Sequence, residues 1–243
     1  MSAVLGETFR LLAAHLHLFT LISLTVWLPG HVLRNYLEFF GAPGASAVPS
    51  LRLVLAMQVI LDPLVVSATL HALNRIKQGL PADYATAMAE GLAAWGRLFF
   101  VRCIINSAVF LPTLGSLAID PSGARGLLAG SLLLAVAVLT LVGLVRYAVV
   151  DSVVVLGGGN AVSAWRRAAH LTAGQRWPIL WTATVLFSAI FAAAMLVAQV
   201  FRAAPELNHF VVRVLVDCAL AVGQSVFTIA LFLFYRRAQA AAA

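Results

Sequence analysis

The chain has 243 residues, of which 62% are hydrophobic and only 10% charged, and its formal net charge is +7. Soluble domains carry about 25% charged residues, so this composition excludes an ordinary soluble fold and points to helices that face lipid. The sixteen Lys and Arg residues are spread beside apolar runs, which points to anionic lipid headgroups as partners and away from nucleic acid.

A membrane-spanning helix needs about 20 mainly apolar residues. Span one is predicted over 11–29, charge-free between Arg10 and Arg34. No small-residue cleavage site follows it, so it is expected to be a retained helix and not a cleaved signal. Span two, 51–72, is interrupted by Asp62 and Pro63. Span three, 98–118, has Arg102 near its start and Pro112 near its end. Spans four, 126–147, and five, 178–201, are free of charge over most of their length. Span six, 212–235, holds Arg213 at its start and Asp217 further in. The expected fold is all-α: one integral membrane domain over 1–243, a polytopic transmembrane bundle of about six spans.

Two connections are too long for tight turns and read as interfacial amphipathic helices on the cytoplasmic side. Over 82–95, Tyr84, Met88, Leu92 and Trp95 recur at helical spacing as one apolar stripe. Over 160–175, Ser163, Arg166, Arg167, His170 and Gly174 form a polar face, with Val162, Trp165 and Ala169 on another. Asn160 is the expected N-cap of the second. A shift of 79 residues aligns the two, matching Gly79 with Gly158, Leu92 with Leu171 and Arg97 with Arg176, so they read as copies of one repeat.

Orientation follows from basic residues near the helix ends. Eleven of the sixteen fall on one side: Arg10, Arg75, Lys77, Arg97, Arg102, Arg146, Arg166, Arg167, Arg176, Arg236 and Arg237. That side is expected to be cytoplasmic, with the N- and C-termini both on it, in a multi-pass protein of the cell (cytoplasmic or inner) membrane. Trp27, Trp95, Trp177 and Trp181 fall at or near predicted span ends, where amphipathic rings settle.

The stretch from Arg146 to Trp177 carries a recurring pattern: a span ending in Arg, a short extended run, a Gly turn at Gly157–Gly159, a helix with Arg166-Arg167 and Leu171-Thr172, then a span beginning near a Trp. It resembles the membrane domain that precedes the catalytic barrel in some bacterial glycerophosphoryl diester phosphodiesterases, and related stand-alone membrane proteins. The resemblance extends over about 50–235. Where that pattern often has Ser, this chain has Ala168 and Ala169, so any role of that hydroxyl is lost. The chain ends at Ala243, without the length for the barrel, so the resemblance implies the membrane module alone and no catalytic residue is carried over.

The residues themselves show no nucleotide-binding, zinc-protease or serine-hydrolase motif, and no catalytic, cofactor-binding or metal site is expected. Cys103 and Cys218 lie in apolar runs and read as small hydrophobes. A carboxylate inside a span costs about 2.5–3.5 kcal/mol on insertion scales, so Asp62 and Asp217 should face the bundle interior or water. Two readings fit them: a proton- or cation-coupled site, or hydrogen-bonded packing elements. His15, in the first half of span one, is a candidate to join Asp62 across the bundle. Arg166, Arg167, His170 and Arg176 form a candidate lipid-headgroup face. The expected function is a non-enzymatic membrane module, structural, accessory or lipid-interacting, with lipids and a membrane-protein partner in view. The alternative is a small secondary transporter or permease using Asp62 and Asp217.

Overall fold

The computed structural model describes residues 2–41, 47–117, 130–131, 134–135, 138, 141–143, 145–158 and 160–242. All regular structure among the described residues is helical. The helices described from end to end are α1 (Ser2–Ala14), α2 (Leu16–Phe40), α3 (Ala47–Lys77), α4 (Tyr84–Leu117), α5 (Val150–Gly157), α6 (Ala161–Thr172), α7 (Arg176–Ala203) and α8 (Phe210–Ala242), with a 3-10 turn at Pro205–Leu207. Among the described residues, four stretches are long and apolar enough to cross a membrane: Leu16–Phe40, Ala56–Lys77, Arg176–Ala203 and Phe210–Ala241. They correspond to expected spans one, two, five and six. Half of the residues of expected span four, 126–147, lie outside the described residues.

The expected boundaries shift at the N-terminal end. Residues 11–14 close α1, and the apolar helix starts at Leu16 and runs to Phe40, eleven residues beyond the predicted end at 29. The change of direction falls at His15, whose backbone leaves helical geometry (φ −125°, ψ 27°). Trp27, predicted at a span end, lies midway along α2 and is buried. An apolar count stops at Pro29 and Gly30, but a proline inside a membrane helix is tolerated when neighbouring helices re-satisfy the freed backbone groups.

Chain reversal between α3 and α4 is encoded locally. Gly79 takes φ 71°, while Leu80 N–H reaches Arg75 C=O at 2.9 Å and Gly79 N–H reaches Ile76 C=O at 3.1 Å. This is the paired bonding of a glycine-terminated helix, and only glycine adopts that φ without strain. Asp83 then caps α4, its Oδ1 accepting from Thr86 N–H at 2.9 Å.

The first interfacial helix is not separate. Residues 84–95 continue without a break into expected span three, as the 34-residue α4. At 1.5 Å per residue α4 is about 51 Å long, well beyond a hydrocarbon core of about 30 Å. Its N-terminal part is held along α3: Ser67 Oγ donates to Gly91 C=O at 2.8 Å, and Trp95 Nε1 donates to Ile60 C=O at 2.9 Å. Gly91 permits this approach, since a Cβ there would lie 2.7 Å from the Ala68 backbone. The continuous side-by-side packing removes the reason for a break after Trp95.

The second expected interfacial helix is separate, as α6. Asn160 is its N-cap, accepting from Ser163 N–H at 2.9 Å. Its buried face is Ala164, Ala168 and Thr172, not the predicted Val162, Trp165 and Ala169; Val162 is 55% exposed. Small residues win here because Thr172 Oγ1 comes within 2.6 Å of Arg146 C=O, so α6 lies tight against the chain leading into α5. The run after Tyr147, read as extended, is instead the two-turn helix α5, with Val150, Val153, Val154 and Val155 all buried.

One end of the bundle gathers α1 with the C-terminal ends of α3 and α8. Glu7 bridges Lys77 at 2.5 Å and Arg237 at 3.1 Å. At the opposite end Phe39 and Phe40 pack on Phe210. Between them lies a core that includes Phe19, Ile22, Leu70, Leu98, Ile229 and Phe232. The outlier is α7, which buries only Ile179, Thr182 and Leu186 and leaves Trp177, Phe187, Phe191 and Leu196 exposed. An apolar surface of this kind suits lipid as solvent.

Candidate intramembrane polar sites

Asp62 stands midway along α3, beside Pro63. The guanidinium of Arg102 on α4 reaches it through one terminal nitrogen, and its other terminal nitrogen donates to Asp151 on α5 at 2.6 Å. A single arginine thus joins three helices. Its planar fork makes this possible, because each terminal nitrogen has its own donors and direction. The three side chains are largely enclosed, at 23% exposure for Arg102, 35% for Asp62 and 20% for Asp151. The short helix α5 exists at this depth because its valines fill the gap between α3 and α4 and carry Asp151 to the arginine.

Asp217 on α8 belongs to a second cluster. Asn35 on α2, fully buried, donates through Nδ2 to Asp217 at 2.8 Å and to His31 C=O at 2.9 Å. Arg34 stands 3.7 Å from the same carboxylate. A cavity of about 170 Å³ opens beside this group, walled by Trp27, His31, Arg34, Gln58, Asp217 and Gln224. His31 Nε2 and Asn35 Oδ1 are buried without a hydrogen-bond partner among the described residues. A hydrogen bond between Ser23 and Ser225, at 3.2 Å, ties α2 to α8 closer to the middle.

Asp62 and Asp217 therefore have separate partners and separate surroundings. His15 does not join Asp62; it marks the break between α1 and α2 and is only half-buried. Arg166, Arg167 and His170 are exposed on the outer side of α6, and Arg176 is exposed at the start of α7 beside Trp177. The Arg167 guanidinium lies beside Gly157 at the end of α5. Among the described residues, no three His, Cys, Asp or Glu side chains come together as a metal site.

Sequence reasoning missed Arg102 and Asp151 as site residues. Arg102 was counted as a topology signal at a span end, and it sits instead in the bundle as counter-charge to Asp62. Asp151 passed unremarked between valines. The available signal was the same one that singled out Asp62, an ionisable residue within an apolar run, which needs a named partner. Asn35 and Arg34 lie beyond the predicted end of span one at 29, where Arg34 reads as a charge bounding the span and not as a partner for an acid.

Comparison with family models, with curated proteins and with solved structures returns no match to this chain.

Proposed function

We propose that this chain is a non-enzymatic integral membrane module, a structural or accessory bundle of six spans in the cytoplasmic membrane with both termini cytoplasmic. It is a module of the kind implied by its likeness to the membrane domain of the glycerophosphoryl diester phosphodiesterases. One observation carries the reading: each intramembrane acid is already engaged by side chains of other helices, Asp62 by Arg102 and Asp217 by Asn35 and Arg34. A carboxylate so engaged serves as a cross-link between helices, and it is not poised to take up a coupling ion. The orientation is supported by the bias of basic residues toward the terminal end, which persists without Arg102. The outward face of Arg166, Arg167, His170 and Arg176 would rest on anionic headgroups, at about 1 kcal/mol per basic residue near the surface.

The test is the unfolding midpoint of the purified protein in mild detergent, for wild type, Asp62→Asn and Asp217→Asn. The structural reading expects both variants to be less stable. Unchanged or raised stability would count against it. A second reading, a small secondary transporter, draws on the cavity beside Asp217 and its two unpartnered polar atoms. Proteoliposome flux that Asp217→Asn abolishes in a stably folded protein would put that reading first.

A further inference from the structure

We propose that the cavity at the terminal end of the bundle is a binding site for a phosphate-bearing anion. The cavity measures about 610 Å³ and lies where α1 crosses the ends of α3 and α8, with Gly6, Glu7, Arg10, Leu11, Lys77 and Arg237 in its wall. Lys77, the chain's single lysine, is one of its three cations.

The charges in this wall do not balance. Glu7 uses its two oxygens separately, Oε1 for Lys77 at 2.5 Å and Oε2 for Arg237 at 3.1 Å. Arg10 follows Glu7 by three residues, so both project from one side of α1. It has no hydrogen bond or ion pair among the described residues. Three cations thus face one carboxylate, leaving the cavity positive by two charges. Val4 and Thr8 of α1 are buried against the bundle, which fixes the helix, and Glu7 and Arg10 line the cavity. A Cβ at Gly6 would meet no atom within 4 Å, so the space beside the cations is open.

An anion with several oxygens and more than one negative charge matches this wall best. Guanidinium and ammonium donors that converge from three helices can each take a different phosphate oxygen. Glu7 holds Lys77 and Arg237 in place, and its single charge is too little to neutralise them. The phosphate can come from a phospholipid headgroup, given the position at the ends of two membrane helices, or from a soluble phosphate compound. This inference is independent of the basic face on α6.

The experiment uses the full chain in a neutral detergent. Its unfolding midpoint is titrated with short-chain phosphatidylglycerol, with short-chain phosphatidylcholine and with inorganic phosphate, each against sodium chloride at matched ionic strength. The proteins are wild type, Arg10→Gln, Lys77→Gln and, as control, Arg202→Gln, an exposed arginine at the far end of α7. Because Arg10 has no partner to lose among the described residues, Arg10→Gln tests the site without disturbing the fold. Wild type should be stabilised by phosphatidylglycerol or phosphate. Arg10→Gln and Lys77→Gln should each weaken the apparent affinity roughly fivefold, as expected for one basic residue, with Arg202→Gln unchanged. A response to phosphatidylglycerol alone assigns a lipid headgroup, and an equal response to inorganic phosphate assigns a soluble ligand. The proposal is overturned if no phosphate compound acts beyond matched salt, if phosphatidylcholine acts as strongly as phosphatidylglycerol with no response to inorganic phosphate, if Arg10→Gln responds as wild type does, or if Arg202→Gln loses the response as Arg10→Gln does.

Discussion

Replacing Arg102 with Met would remove the cation that joins α3, α4 and α5 at the level of Asp62. Methionine keeps much of arginine's apolar stem and carries no charge or donor, so the change removes the two charge-assisted hydrogen bonds with little loss of stem packing. In wild type one guanidinium faces two carboxylates. At about 4 Å and an effective dielectric near 20, each such pair is worth about 4 kcal/mol of attraction before desolvation. Removing one partner of a buried pair costs about 3–5 kcal/mol, because the charge left behind has no counter-ion. The exposures of 20–35% admit some water to this site and screen part of that term. The expected loss for Arg102→Met is therefore about 2–3 kcal/mol. Asp62→Asn should cost less, about 1 kcal/mol, since Arg102 keeps Asp151 and an amide oxygen can still accept. The triple change Asp62→Asn, Arg102→Met, Asp151→Asn removes every charge and should return to within about 1 kcal/mol of wild type, as uncharged replacements of buried ion networks commonly do. The assay is unfolding of the purified proteins in mixed micelles of rising sodium dodecyl sulfate, followed by far-ultraviolet circular dichroism. The reasoning fails if Arg102→Met unfolds with wild type, or if the triple variant is less stable than Arg102→Met alone.

Three further outcomes are expected. Gly91→Ala should cost about 1–3 kcal/mol in the same assay, because its Cβ would meet Ala68 backbone atoms at 2.7 Å that cannot swing aside; Gly96→Ala, with nothing within 4 Å, should be neutral or mildly stabilising. Asn35→Leu should cost about 2 kcal/mol, since it removes the buried donor to Asp217, and a loss below 0.5 kcal/mol would show that Arg34 alone satisfies the carboxylate. The hydrogen bond from Lys77, with that from Arg237, holds the Glu7 carboxyl below the usual glutamate range against the opposing effect of partial burial. The folded chain thus binds this proton less tightly than the unfolded one, so the stabilisation is complete above the ordinary value and is lost as pH falls through the depressed one. The midpoint gap between wild type and Glu7→Gln should be widest near neutrality and narrow as pH falls below the ordinary glutamate range, as a thermal-unfolding series across pH would record; a gap that does not change with pH refutes the ionic role.

Much of the local structure was legible in the residues because its causes are local. The run of apolar residues marks α7 and α8, since only a helix satisfies its own backbone in lipid. Asn160 reads as an N-cap because it acts within one turn of its own position. The expected first interfacial helix failed for a complementary reason. The amphipathic stripe over 82–95 is real, but whether the helix breaks after Trp95 depends on Ser67, Ala68 and Ile60 of α3, which lie more than twenty residues away.

The sequence by itself determined that this is an apolar helical chain, where most of its long helices run, and that Asp62 and Asp217 are the residues to question. Those conclusions rest on composition, on periodicity and on the cost of charge in hydrocarbon, all of which a linear chain carries. Only the tertiary structure decided how that cost is met. Arg102 and Asp151 come from helices 40 and 89 positions beyond Asp62 in the chain, and Asn35 lies 182 positions before Asp217. Ion pairs and hydrogen bonds act over a few ångströms in space, so which acid meets which base is settled only when the helices pack.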